Sequence, residues 1–239
     1  MTGLLLAALL AAQIEQGQTF SRAALLAPLP PDSAHPFARR LQLAFDDTLA
    51  GRAVLVVVHR GADSLPGSQG YSADREVVAV QRAGTYQVLQ VIEPAGYWET
   101  ENTPNGPYWN TLSFIDTAYA FRYGSRKFLR IAEMFYGTGA EVQDHILTLD
   151  ASGRLVEVET DNADQRFKAL LRPGESQIGG RFTFADDRIE FQEWIMGRGD
   201  PECCPTAGTI RARYRITGDE QHGFRLTPDS LWREAIRTP

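Results

Sequence analysis

Ile210-Arg211-Ala212-Arg213-Tyr214-Arg215-Ile216 is the stretch on which the fold turns. Apolar and guanidinium side chains alternate without a break, the period of a strand whose two faces differ. Residues 188–196 alternate in the same sense. Antiparallel pairing of 188–196 with 209–216 sets Ile189 opposite Ile216 and Phe191 opposite Tyr214. On the other face Glu190 then meets Arg215, so every cross-strand pair is compatible. A slip of one residue would put Phe191 against an arginine. The connection, Gly197 to Gly208, therefore sits at the tip of a long hairpin.

The same pattern extends along the chain. Val54-Leu55-Val56-Val57-Val58 is a β-branched run suited to a strand. Val77–Gln81 and Tyr86–Ile92 flank Ala83-Gly84 as a hairpin. Phe128–Phe135 reads as a strand, and His145–Leu149 and Leu155–Glu159 are joined by Asp150-Ala151-Ser152-Gly153. Asp186-Asp187 separates Arg181–Phe184 from Arg188–Ile195.

Two segments break the pattern. Phe37, Leu41, Phe45 and Leu49 recur every four residues before Gly51, predicting an amphipathic helix over 36–50. Near the end, Thr227 suits an N-cap, Pro228 the first helical position, and Leu226 with Leu231 a staple, predicting a short C-terminal helix docked through Trp232. The expectation is a single mostly-β (α+β) domain over 36–239. It would be an antiparallel barrel or curved sheet built from hairpins, preceded by a polar, proline-interrupted strap over 13–35.

The 239 residues carry a net charge of −6, with 43% hydrophobic and 23% charged side chains. That balance fits a globular chain and argues against a nucleic-acid partner, which needs a basic face. No apolar run reaches the length that spans a bilayer, so no integral membrane segment is expected in the mature chain. Leu4 to Ala12 is an unbroken apolar run followed by polar residues, the pattern of a secretory signal ending near Ala12, though no Lys or Arg precedes it. The expected location is periplasmic or secreted.

The only two cysteines, Cys203 and Cys204, are adjacent within Asp200-Pro201-Glu202-Cys203-Cys204-Pro205-Thr206. Neither has a distant cysteine in the chain to reach, so they bond each other, bond another molecule or stay reduced. Neighbouring α-carbons lie about 3.8 Å apart, below the usual 4.4–6.8 Å of bridged cysteines, so a vicinal disulfide is strained. In an oxidising compartment it is still the expected state. Pro201 and Pro205 stiffen the loop on either side. Asp200 and Glu202 are candidate ligand contacts. The adjacent spacing is not that of a zinc site, and no metal or cofactor is expected.

A second candidate surface is the turn-rich loop 99–107, bordered by Trp98, Tyr108 and Trp109, whose rings could stack on a sugar or peptide. Arg211, Arg213 and Arg215 form a candidate anion face, or a solvated stripe paired to acids such as Glu190. Asp144 beside His145 could be an acid–base pair, yet neighbours in a strand point to opposite faces. No nucleophile elbow, phosphate loop or calcium loop is present.

Gly199 to Gly208 with the alternating Ile210–Ile216 resembles a double-cysteine loop of uncharacterised bacterial secreted proteins and lipoproteins. Phe184–Trp194 and Tyr136-Gly137-Thr138-Gly139 are similar in character. The resemblance covers the second half of the chain and implies an envelope or extracellular location, with no activity. The chain departs from the lipoproteins in having no lipid-acceptor cysteine after its apolar run.

Together these features predict an exported binding or structural module of the bacterial envelope, with loops 99–107 and 197–208 as its working surface. Its partner would be a small molecule, a glycan or an envelope protein. The alternatives are a hydrolase or redox enzyme using the cysteine loop or Asp144 and His145, and an apolar-ligand carrier with a barrel pocket beneath the 36–50 segment.

Overall fold

The computed structural model describes residues 14–29, 40–60, 75–92, 96–99, 108–111, 113–135, 142–161, 163–201 and 204–235. Residues 1–12, the loop 100–107, Glu202 and Cys203 lie outside them.

The fold is mostly β, with two principal sheets. The first sheet runs β1 (Thr19–Phe20), β5 (Thr85–Ile92), β4 (Arg75–Arg82), β3 (Arg52–Arg60), β2 (Arg40–Leu49) in spatial order. Val54–Val58 does not alternate because both faces of this sheet are covered. Val54, Val56 and Val58 pack with Val78 and Val80 against Leu129, Ile131, Leu147 and Leu149 of the second sheet. Leu55 and Val57 pack with Val77, Ala79 and Val88 under the strap, whose Ile14, Leu25 and Leu29 are buried. Each such Val, Leu or Ile side chain, fully removed from water, contributes roughly 1.5–3 kcal/mol. In the strap, Ser21 caps the single-turn helix α1 (Arg22–Leu25) by accepting a 3.1 Å bond from the Ala24 N–H.

The expected helix over 36–50 is a strand. Residues 36–39 lie outside the described ones, and 40–49 form β2. A spacing of four satisfies a helical period and also every second strand position on one face, so the pattern alone does not separate them. The structure adds a bulge between Leu43 and Phe45. It turns the strand over, so Leu41 packs toward the strap while Phe45 packs toward the second sheet. Gly51 is no helix stop. With Ala50 (φ 47°) it forms the two-residue turn from β2 to β3, where both central residues need positive φ.

The second sheet has eight strands: β12 (Ser176–Ala185), β13 (Arg188–Met196), β14 (Gly208–Asp219), β15 (Gly223–Glu234), β11 (Leu155–Thr160), β10 (Val142–Leu149), β9 (Arg126–Phe135) and β8 (Ser113–Tyr123). Among the described residues only the β11–β15 pairing is parallel. The sheet curls until its ends meet, and the Arg122 N–H donates to Asp186 Oδ1 at 2.8 Å while the Asp187 N–H donates to the Arg122 carbonyl at 2.8 Å. The result is a nearly closed barrel. A separate ribbon pairs β6 (Gly96–Glu99) with β7 (Tyr108–Thr111).

Aromatic rings fill the barrel. Phe121 and Phe184 lie 5.1 Å apart, and Phe182 lies 4.8 Å from Phe191 and 4.9 Å from Tyr214. The short helix α2 (Asp164–Lys168) stacks Phe167 on Phe191 at 5.3 Å. At Gly180, beside a bulge in β12, a Cβ would meet the Phe191 ring at 2.5 Å, so glycine is what lets that ring lie flat on the strand.

The predicted hairpin of 188–196 with 209–216 forms, shifted by two residues. Ile189 faces Tyr214, Phe191 faces Ala212 and Glu190 faces Arg213. A shift of two keeps every side chain on its predicted face, which is why alternation alone could not choose between the registers. The C-terminal helix is also corrected: residues 223–234 form β15 along the whole of β14. Pro228 is tolerated because it sits at the register shift between Arg213 and Tyr214, where the ladder is already interrupted. Leu226 and Leu231 face the barrel core instead of each other across a helical turn.

Candidate functional site

The residues connecting β13 to β14 are fastened from within. The Asp200 carboxylate accepts from the Gly197 N–H at 2.5 Å, the Thr206 N–H at 2.8 Å and the Thr206 hydroxyl at 2.7 Å. These bonds tie both stems of the loop to one side chain, and they hold the Asp200 carboxyl below the usual carboxylate range, the Gly197 bond contributing most. Asp followed by proline is a turn former, and here the Asp200 N–H also donates back to the Gly197 carbonyl at 3.1 Å. The Cys204 N–H donates to the Pro201 carbonyl at 2.9 Å, and the Cys204 side chain lies exposed.

A second clamp holds the loop's return. Arg233 donates from Nη2 to the Ala207 carbonyl at 2.7 Å and grips Glu175 with both terminal nitrogens, at 2.5 and 2.8 Å. The Ala207 N–H donates to the Ile195 carbonyl at 3.1 Å. Glu175 also accepts from the Arg172 N–H at 2.7 Å, and Arg233 foremost lowers its carboxyl to about 2. One bidentate arginine thus joins β15, the segment after α2 and the cysteine loop. Gly208 begins β14 at φ 121°, and a Cβ there would lie 2.5 Å from the Glu234 carbonyl oxygen.

Of the predicted ligand contacts, Asp200 is therefore a brace whose carboxylate is turned into its own loop. Glu202 lies outside the described residues. Trp98 and Trp109 are direct partners in the β6–β7 ribbon, as are Glu99 and Tyr108, which places all three predicted aromatics on the stems of the 99–107 loop.

The arginine stripe lies on the outer face of the barrel and is paired to acids. Arg211 meets Glu234 at 2.6 Å, Arg215 meets Asp229 at 3.4 Å, and Arg213 reaches Glu190 at 3.9 Å and the Trp232 ring at 5.8 Å.

Asp144 and His145 are separated by the thickness of β10. Asp144 points into the barrel, where Arg130 donates to its Oδ1 at 2.6 Å while lying 5.4 Å from the Tyr119 ring and 5.3 Å from the Phe184 ring. Oδ2 accepts no hydrogen bond. Burial pushes this carboxyl up to about 6 against the pull of Arg130. His145 points outward between Glu133 (3.6 Å) and Glu157 (3.1 Å), which raise its pKa, Glu133 most, against the effect of burial. They do not form an acid–base pair.

Sequence reasoning missed Thr206, Glu175 and Arg233. Only the Asp-Pro turn signal pointed toward the brace; Thr206 lies in the same loop without a pattern that marks it, and Glu175 and Arg233 are distant in sequence. Among the described residues no group of three His, Cys, Asp or Glu side chains is placed to hold a metal, and no helix is long and apolar enough to cross a membrane. No family model, curated protein or solved structure matches the chain.

Proposed function

We propose that this protein is an exported binding module of the bacterial envelope. Its working surface is the double-cysteine loop, together with loop 99–107, and it engages a glycan, a small molecule or an envelope protein. The observation that carries this reading is the Asp200 brace: both described stems of the cysteine loop are tied to one carboxylate, and its return at Ala207 is tied to the half-buried Arg233. Preorganisation of this kind lowers the ordering cost of binding. Within the loop, Cys203 and Cys204 close on each other as a vicinal disulfide.

The filled barrel counts against the carrier alternative, since rings 4.8–5.1 Å apart occupy the space a ligand would need. The separation of Asp144 from His145 across β10 counts against the acid–base enzyme.

The test is co-sedimentation of the purified mature protein with an isolated envelope fraction. The intact protein pellets with the fraction, and replacement of 198–206 by a short Gly-Ser turn lowers the bound share by roughly tenfold, the loss expected when a central contact is removed. Equal pelleting of the two forms, or none for either, contradicts the proposal.

A further inference from the structure

At the end of the barrel opposite the cysteine loop, a cleft of about 350 Å³ opens between the barrel and the first sheet. Its walls are tight turns: Ala50-Gly51 from β2–β3, Gly124-Ser125 from β8–β9, the start of the β10–β11 turn at Ala151, and Glu220 from β14–β15. Positive φ at Ala50 (47°), Gly51 (73°) and Gly124 (60°) marks these as short, defined turns, so the cleft is formed before any ligand arrives.

The lining is cationic in a chain of net charge −6. Arg122, Arg126 and Lys127 face one carboxylate, Glu220. Arg126 is fully committed: it donates to Glu220 Oε1 at 2.5 Å and to the Leu149 carbonyl at 3.1 Å, and it lies 4.9 Å from the Phe224 ring. Glu220 is satisfied too, its other oxygen accepting from the Ala151 N–H at 2.9 Å; Arg126 foremost keeps its pKa low, so it stays ionised. Lys127 is held by Asp47, on the strand that leads into the cleft wall. The Arg122 guanidinium lies exposed at the cleft with no acid within ion-pair distance among the described residues. Its backbone is pinned by Asp186 and Asp187, so its position at the rim is fixed although its charge is unspent.

We propose that this cleft binds a phosphorylated small molecule, with the phosphate between Arg122, Lys127 and the Ser125 hydroxyl. An arginine fork, an ammonium and a hydroxyl together ask for more acceptor oxygens than the two of a carboxylate, and a phosphate monoester supplies three. The volume lies at the low end of small-ligand sites, enough for a sugar-sized body behind the phosphate.

The test is titration of the full chain at low salt with inorganic phosphate, glucose 6-phosphate and acetate, followed by backbone amide NMR. Glucose 6-phosphate is expected to saturate in the millimolar range, more tightly than phosphate and well ahead of acetate. Its shifts should centre on residues 50–51, 122–127 and 151. Arg122→Gln should weaken it by roughly tenfold, the worth of one charge-assisted contact, without changing the melting temperature, because the bonds that Arg122 makes to Asp186 and Asp187 come from its backbone and survive the substitution. Ser125→Ala should weaken it less. The proposal is overturned if no probe saturates, if Arg122→Gln binds as the parent does, or if the shifts map to Arg211, Arg213 and Arg215.

Discussion

Asp144 and His145 are neighbours whose surroundings could hardly differ, and both make stability fall as pH rises. Asp144 sits in the barrel at about 6, so the folded chain holds its proton more tightly than the unfolded chain, whose carboxyl titrates near 3.9. Between those values the folded state binds more protons, and stability is lost as pH climbs through them. The loss is on the order of 2–3 kcal/mol. His145 is stabilised as the cation by Glu133 and Glu157, so its contribution is complete below about 6.5 and disappears as pH rises through its raised value. Carboxylates held low, such as Glu175, act only below about 4. Urea midpoints across this range should therefore fall with pH, and Asp144→Asn should flatten the segment between about 4 and 6 while leaving the histidine segment in place. A variant whose profile superimposes on the parent's would contradict the account of Asp144.

At the scale of elements, Asp200 ties together the described stems of the cysteine loop. Asp200→Ala frees the amides of Gly197 and Thr206 together, and their hydrogen exchange should quicken by at least about tenfold while the β13–β14 ladder keeps its protection. Unchanged exchange at both amides would mean that the prolines alone hold the loop. The hairpins themselves were legible because each turn carries its own chemistry, as Ala83-Gly84 does with both residues at positive φ. What misled were elements whose local signals are genuine but outcompeted. Thr227-Pro228 is a sound helix start, yet the unbroken alternation of β14 offers residues 223–234 a full ladder. The period of four in 41–49 is real as well, but it fits a strand as readily as a helix, and pairing along β3 decides for the strand. Of the site, the turn at Asp200 could be read locally. The bond from Thr206, six residues on in the same loop, carries no sequence signal, and Glu175 and Arg233 reach the loop only once β12 to β15 have paired.

Across the whole molecule, three layers account for the pattern of apolar residues. The strap covers the first sheet, the first sheet covers β9 and β10, and the barrel beyond them is filled by its own aromatics. The interior is thus occupied by packing, and the braced loop and the cationic cleft lie at opposite ends of the barrel. The proposed function requires a closed Cys203–Cys204 pair on an exported chain. Mass spectrometry of the protein recovered from the envelope or medium without reductant tests it most directly. The account predicts a monomer cleaved near Ala12, two hydrogens lighter than its reduced form and inert to alkylation until reductant is added. A full-length chain, or two thiols that alkylate at once without reductant, would contradict it.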